Sequence, residues 1–192
     1  MPTASQDEVI AFLTSDAGFG GRSPGPKLIE THISLVILSG PHAIKLKRAV
    51  FLGYVDFSTP ELRLAACERE LELNRRTAPG LYKAVHRITR EADGSLALDG
   101  RGALVDAVVE MVRFDEDGLL EHLAVRGAID KPVLTRLAGR IAAFHADAEP
   151  DLVQSGSSRI AAVLDINKRA FATTGIFPAE QLDALQTAFR AR

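Results

Sequence analysis

Lys45 and a row of glutamates, Glu68, Glu70 and Glu72, are the residues whose types and spacing could act together chemically. The lysine lies in Ala43-Ile44-Lys45, inside an apolar run with the texture of a strand. The glutamates lie in a stretch with the periodicity of a helix. A strand lysine oriented by a helix carboxylate can grip the α- and β-phosphates of a nucleotide. Both partners are needed. A buried ammonium without a carboxylate loses its charge or its rotamer, and phosphates need a fixed cation. Alternation puts Lys45 and Lys47 on one face of the strand and Ile44 and Leu46 on the other. On the helix, Glu70 shares a face with Ala66, Cys67, Leu73 and Asn74, whereas Glu68 and Glu72 are rotated away. Glu70 is therefore predicted to turn inward onto Lys45, with Glu68 and Glu72 solvated. Lys47 and Arg48 could simply be surface charges, and substitution of Lys47 is expected to change nucleotide affinity little.

These residues need a scaffold, and the chain supplies one. Lys27–Thr31, Leu35–Leu38 and His42–Lys47 are short runs rich in Ile, Leu and Val, separated by turn residues that include Ser39-Gly40-Pro41. They predict antiparallel strands. Centring the hairpin on Gly40 pairs Leu35 with Lys45. The turn before it, Thr31 to Ser34, then lies beside the lysine, where its N–H groups and the Ser34 hydroxyl could face phosphate oxygens. Glu61–Thr77 reads as a helix, with Ser58 or Thr59 as its N-cap, Pro60 at its start and Pro79 past its end. Val85–Thr89 and Ser95–Leu98 flank an Asp93-Gly94 hairpin turn. Ala103–Phe114 is a long apolar strand whose last residues, Met111, Val112, Arg113 and Phe114, would form a hinge that hydrogen-bonds an adenine edge. A short helix is predicted over Asp7–Leu13. Beyond Leu119 the pattern is helical: one helix capped by Asp130, then Ser157–Ala172 and Pro178–Ala191. Strands first and helices later argue an α+β fold. The expected organisation is an N-terminal helix and linker over 1–26, a strand-rich lobe over 27–116 with about five strands, and a helical part over 117–192.

Other chemistries find less support. Gly20 to Gly25 has P-loop glycine spacing, but Pro26 sits where the lysine belongs. Gly18-Phe19-Gly20 begins a dinucleotide fingerprint, yet Ser23 takes the third glycine position. His32, His42, His86, His122 and His145 are scattered over different elements, which predicts no metal site. His145 and Asp147 imitate a kinase catalytic H-x-D, but Leu152 stands where asparagine is required. Cys67, the single cysteine, lies mid-helix without a nearby histidine.

The 192 residues are 46% apolar and 25% charged, which is globular. A formal charge of −2 argues against a general binder of nucleic acid or anionic membrane. No apolar run approaches the roughly 18 residues of a membrane helix. The N-terminus lacks the features of a signal or transit peptide. The default expectation is the reducing cytoplasm.

Several segments, in order, carry a resemblance. They are Leu28-Ile29-Glu30-Thr31-His32-Ile33-Ser34, Ala43-Ile44-Lys45-Leu46-Lys47-Arg48, Asp56-Phe57-Ser58-Thr59-Pro60, and the helix run Cys67 to Arg76. Val109 to Phe114 and Ile141-Ala142-Ala143-Phe144-His145 continue it. From Leu28 onward the chain resembles the N-terminal part of the bacterial aminoglycoside phosphotransferase-like family, in the branch often fused to a P-loop kinase domain. The resemblance implies a protein-kinase-like N-lobe followed by an incomplete helical C-lobe. It also implies ATP and Mg2+ as cofactors and an unknown small-molecule acceptor. Lys45 matches the family's strand lysine, Glu70 its helix partner, and Met111 to Phe114 its gatekeeper and hinge. The family's G-D-x-H-x-x-N loop has no match here, nor has its second acidic metal ligand. The expectation is therefore the ATP-binding portion of a phosphotransferase, truncated before its catalytic loop and prone to self-association through the exposed partial C-lobe. The alternative is a non-catalytic nucleotide-binding or regulatory module acting with a partner chain.

Overall fold

A computed structural model describes residues 6–21, 25–150, 152–174 and 178–190. Arg22, Ser23 and Pro24 within the P-loop-like spacing, and Ala191 and Arg192, lie outside them. The chain divides into two units, one of residues 1–50 and 57–146, the other of residues 51–56 and 147–192.

The first unit is built on β1 (Lys27–Glu30), β2 (Ser34–Ser39), β3 (His42–Lys47), β6 (Tyr82–Arg90), β7 (Leu96–Leu98) and β8 (Ala103–Val112). They form a six-stranded sheet in the order β1-β2-β3-β8-β6-β7, with every pair antiparallel. The mixed α+β class is as read from the sequence, with six strands in the antiparallel sheet where about five were expected. β4 (Phe51–Leu52) and β5 (Val55–Asp56) form a separate hairpin in the second unit, which the sequence reading did not contain.

The β2–β3 hairpin is closed by two residues, Gly40 and Pro41, with Ser39 opposite His42. Gly40 adopts φ 52°, the left-handed conformation that such a loop needs at its first central position. Centring the turn between these residues pairs Lys45 with Val36 and Leu35 with Leu46, one residue off the expected register. The slip matters because cross-strand partners share a face. Leu35 and Leu46 both enter the core, whereas Lys45 stands in a row with Val36 and Val109.

Two helices cover the two faces. α1 (Asp7–Thr14) places Val9 and Leu13, one turn apart, against Leu35, Ile37, Ile44, Leu46, Ile88 and Val108. α2 (Pro60–Arg75) packs on β6 and β8 around Cys67, Ala107 and Val109. Thr59 is the α2 cap, its Oγ1 accepting the Leu62 amide at 3.3 Å, and Pro60 opens the helix. The helix ends at Arg75, two residues short of the sequence reading. β8 also ends two residues early, at Val112. The backbone bonding to both neighbours carries on at this end: the Val112 amide donates to Leu81 O at 2.9 Å and the Arg113 amide to Pro41 O at 2.8 Å.

α3 (Leu120–Val125) and α4 (Lys131–Ala146) complete the first unit. Asp130 caps α4 as expected, accepting the Val133 amide at 2.9 Å. In the second unit, α5 (Gly156–Thr174) and α6 (Ala179–Arg190) pack on one another. Ile160 and Val163 of α5 are exposed. Among the described residues no helix is long and apolar enough to cross a membrane.

Candidate functional site

Lys45 and Glu70 meet. Lys45 Nζ lies 2.9 Å from Glu70 Oε1, joining β3 to α2 across 25 positions of chain. Glu68 and Glu72 are exposed, as helical spacing predicts. Lys47 is not a surface charge. Its ammonium donates to Glu70 Oε2 at 2.6 Å and stands 5.1 Å from the centre of the Phe57 ring, with the side chain only 8% exposed. Alternation placed Lys47 on the correct face but could not set its depth. The Phe57 ring and the second oxygen of Glu70 do that.

Burial pushes the Glu70 carboxyl up, but the hydrogen bonds and charges of Lys47 and Lys45 outweigh it and hold the group below the usual carboxylate range. Asn74 Nδ2 donates to Glu70 O at 2.8 Å and braces the helix there. Two ammonium groups against one carboxylate leave this face with a surplus positive charge. That is the electrostatic requirement for an anionic ligand. Cys67, close by on α2, is fully buried, and burial pushes its thiol up to about 12, so it is no nucleophile.

The remaining predicted site residues are less close-knit. Ser34 lies across from Lys47 but is 3% exposed, and its amide donates to Thr31 Oγ1 at 3.0 Å. The Thr31–Ser34 turn is thus closed on itself, with the Thr31 amide donating to Ser34 O at 2.8 Å. Met111 pairs with Ala43 and Tyr82 in the row next to Lys45. Val112 is half-buried, and the Val112 and Arg113 amides are both engaged, as described above. Arg113 and Phe114, both exposed, border an open cleft of about 510 Å³ together with Lys27, Pro41 and the acidic run Asp115 to Asp117. Lys45 and Glu70 are not among the residues lining it.

The other face carries a set of titratable groups that scattered histidines did not foretell. Glu110 on β8 bonds His42 Nδ1 at 2.6 Å through one oxygen and His86 Nε2 at 2.8 Å through the other. His86 Nδ1 continues to Asp99 Oδ2 at 2.6 Å. Asp99 holds a left-handed φ of 52° and also accepts the Arg87 amide at 2.8 Å. Phe19 packs against both imidazoles, with ring centres 6.1 and 5.9 Å away. The signal was Glu110, a carboxylate inside an apolar strand, but its partners come from strands on either side. Among the described residues no group of three or more His, Cys, Asp or Glu side chains is arranged to hold a metal ion.

This network has a pH signature. Burial pushes His86 down, but the bonds and charges of Asp99 and Glu110 raise it above its ordinary value. A raised imidazole contributes stability that is complete below its unfolded value, about 6.5, and is lost as pH rises through the folded value. Asp99 and Glu110 are both lowered, their hydrogen bonds outweighing burial, so their contribution disappears as pH falls through their folded values. Urea unfolding should therefore show that His86→Ala costs roughly 1 kcal/mol more near pH 6 than near pH 9, the scale of a charge-assisted hydrogen bond. A cost independent of pH would mean that the imidazole stays neutral in the fold.

No family model matches this chain, and no solved structure matches it. It is similar to the uncharacterized protein Rv2004c of Mycobacterium tuberculosis strain H37Rv, with 32% identity over 120 residues. The match covers 62% of this chain and 22% of that protein. The uncharacterized protein Mb2027c of Mycobacterium bovis matches with the same identity and coverage. The chain thus matches less than a quarter of the length of these relatives.

Proposed function

We propose that the sheet face carrying Lys45 and Glu70 binds the phosphates of ATP, as the nucleotide-binding part of a small-molecule phosphotransferase of the aminoglycoside phosphotransferase-like kind. The observation that carries this reading is the Lys45–Glu70 ion pair at 2.9 Å, between a central strand and the helix packed on the sheet. Lys45 is 29% exposed, so its ammonium is fixed yet reachable. Ala43 and the half-buried Met111 pair one step along the same face, which makes the neighbourhood of the ammonium apolar. A kinase-like N-lobe of antiparallel strands and one braced helix accommodates each of these placements.

Transfer itself would need a base and magnesium ligands. This sequence holds no G-D-x-H-x-x-N, and the described residues offer no metal-holding group. What the residues present support is therefore nucleotide binding. The acceptor in this reading is an unknown small molecule. Self-association belongs to the same reading and is supported by the exposed Ile160 and Val163 of α5.

Calorimetric titration with ATP tests the reading. Lys45→Ala should weaken binding about 10- to 100-fold, the scale of a charge-assisted hydrogen bond to phosphate. AMP, which lacks the β- and γ-phosphates, should be affected far less. Saturable ATP binding with the same affinity in parent and variant would sink the assignment, as would no binding by the parent.

A further inference from the structure

The lysines that share Glu70 are not equivalent. Lys47 is the deeper, 8% exposed against 29% for Lys45, and its contact is the shorter, 2.6 Å against 2.9 Å. The Phe57 ring beside its ammonium confines it further. Glu70 is itself only 12% exposed, so a carboxylate without a cation would be costly there. Where one lysine serves such a glutamate, the ammonium that grips a phosphate must also neutralise the carboxylate. It cannot turn fully to the ligand without stranding its partner. Here the second oxygen of Glu70 is already satisfied by an ammonium that points away from solvent.

We infer that Lys47 is the permanent counter-ion of Glu70 and a positioning residue, and that Lys45 is the ammonium released to an anionic, phosphate-bearing ligand. Lys47 keeps Glu70 ionised and turned inward whether or not Lys45 is engaged. The site is then preorganised in the free protein, and Lys45 reaches the ligand without losing the structure that orients it. The ligand class rests on the reading of this face as a phosphate site, but the division of labour between the lysines does not.

The test follows the Glu70 side-chain carboxyl by carbon-13 NMR across pH in the full chain, with Glu70→Gln identifying the signal. In Lys45→Met the midpoint should stay below the ordinary carboxylate value. In Lys47→Met it should rise past that value, and Lys47→Arg should bring it back down. A Lys45→Met midpoint at or above the ordinary value overturns the inference, even if Lys47→Met cannot be obtained folded. So does a larger rise in Lys45→Met than in Lys47→Met. Titration with ATP adds a second readout: about a tenfold weaker Kd for Lys47→Met, recovered to within about threefold by Lys47→Arg. Failure of the unmodified chain to bind ATP would defeat the nucleotide reading and leave the carboxyl titration to decide the role of Lys47.

Discussion

Replacing Asp106 by Ala is expected to lower the free energy of unfolding by about 3–5 kcal/mol, because it strands a buried guanidinium. Asp106 is fully buried on β8. Its Oδ1 accepts from Arg63 Nε at 2.7 Å and from the Ala107 amide at 2.8 Å, and its Oδ2 accepts from Gln6 Nε2 at 2.7 Å. Arg63 is only 4% exposed. Its remaining donors reach Phe57 O at 3.0 Å and Val105 O at 3.3 Å, so no rearrangement carries its charge to water cheaply. Against a total of about 5–15 kcal/mol for an ordinary domain, this loss is a large share. Urea unfolding should show the midpoint falling with an unchanged slope. Arg63→Met should also cost about 3–5 kcal/mol, because it leaves the fully buried Asp106 carboxylate without its cation. A cost for Asp106→Ala below about 1 kcal/mol, the scale of an exposed ion pair, would mean that water reaches Arg63.

The second large effect is in α1. Leu13→Ala should cost about 2–5 kcal/mol, the range for truncating a buried leucine. Leu13 is fully buried against the β2–β3–β8 core, and Val9 lies one turn before it at 3% exposure. The helix is also tied at its start. The Gln6 side chain donates to Lys47 O at 3.0 Å and accepts the Ala49 amide at 2.8 Å. Ala11→Ser, on the exposed side of the same helix, should stay within about 0.5 kcal/mol. Equal and small costs would make α1 a detachable arm. The expected result makes it the cover of one sheet face.

Much of the candidate site was legible in the sequence because it is local. The alternation of Ala43 to Lys47 sets which side chains share a face, and helical spacing singles out Glu70 from Glu68 and Glu72. Thr59-Pro60 and Asp130 announce helix starts through their own side chains, whose bonds span only a few residues. These features depend on neighbours in the chain, so a window of residues contains the physics that makes them.

What tertiary structure alone decided is depth and long-range partnership. Lys47 has the same alternation signature as Lys45, yet it is buried because Phe57 and the far oxygen of Glu70 close over it. The one-residue register of the β2–β3 hairpin turned on whether its loop holds three residues or two, a choice made when Leu35 and Leu46 enter a core shared with α1. Arg63, Asp106 and Gln6 come from α2, β8 and the residue before α1, up to 100 positions apart, and Glu110 joins His42 and His86 only because β8 runs between β3 and β6. A sequence window records which residues are apolar or charged. Which charges end up desolvated, and beside what, depends on strand order and register, and those are set by burial of the sheet as a whole.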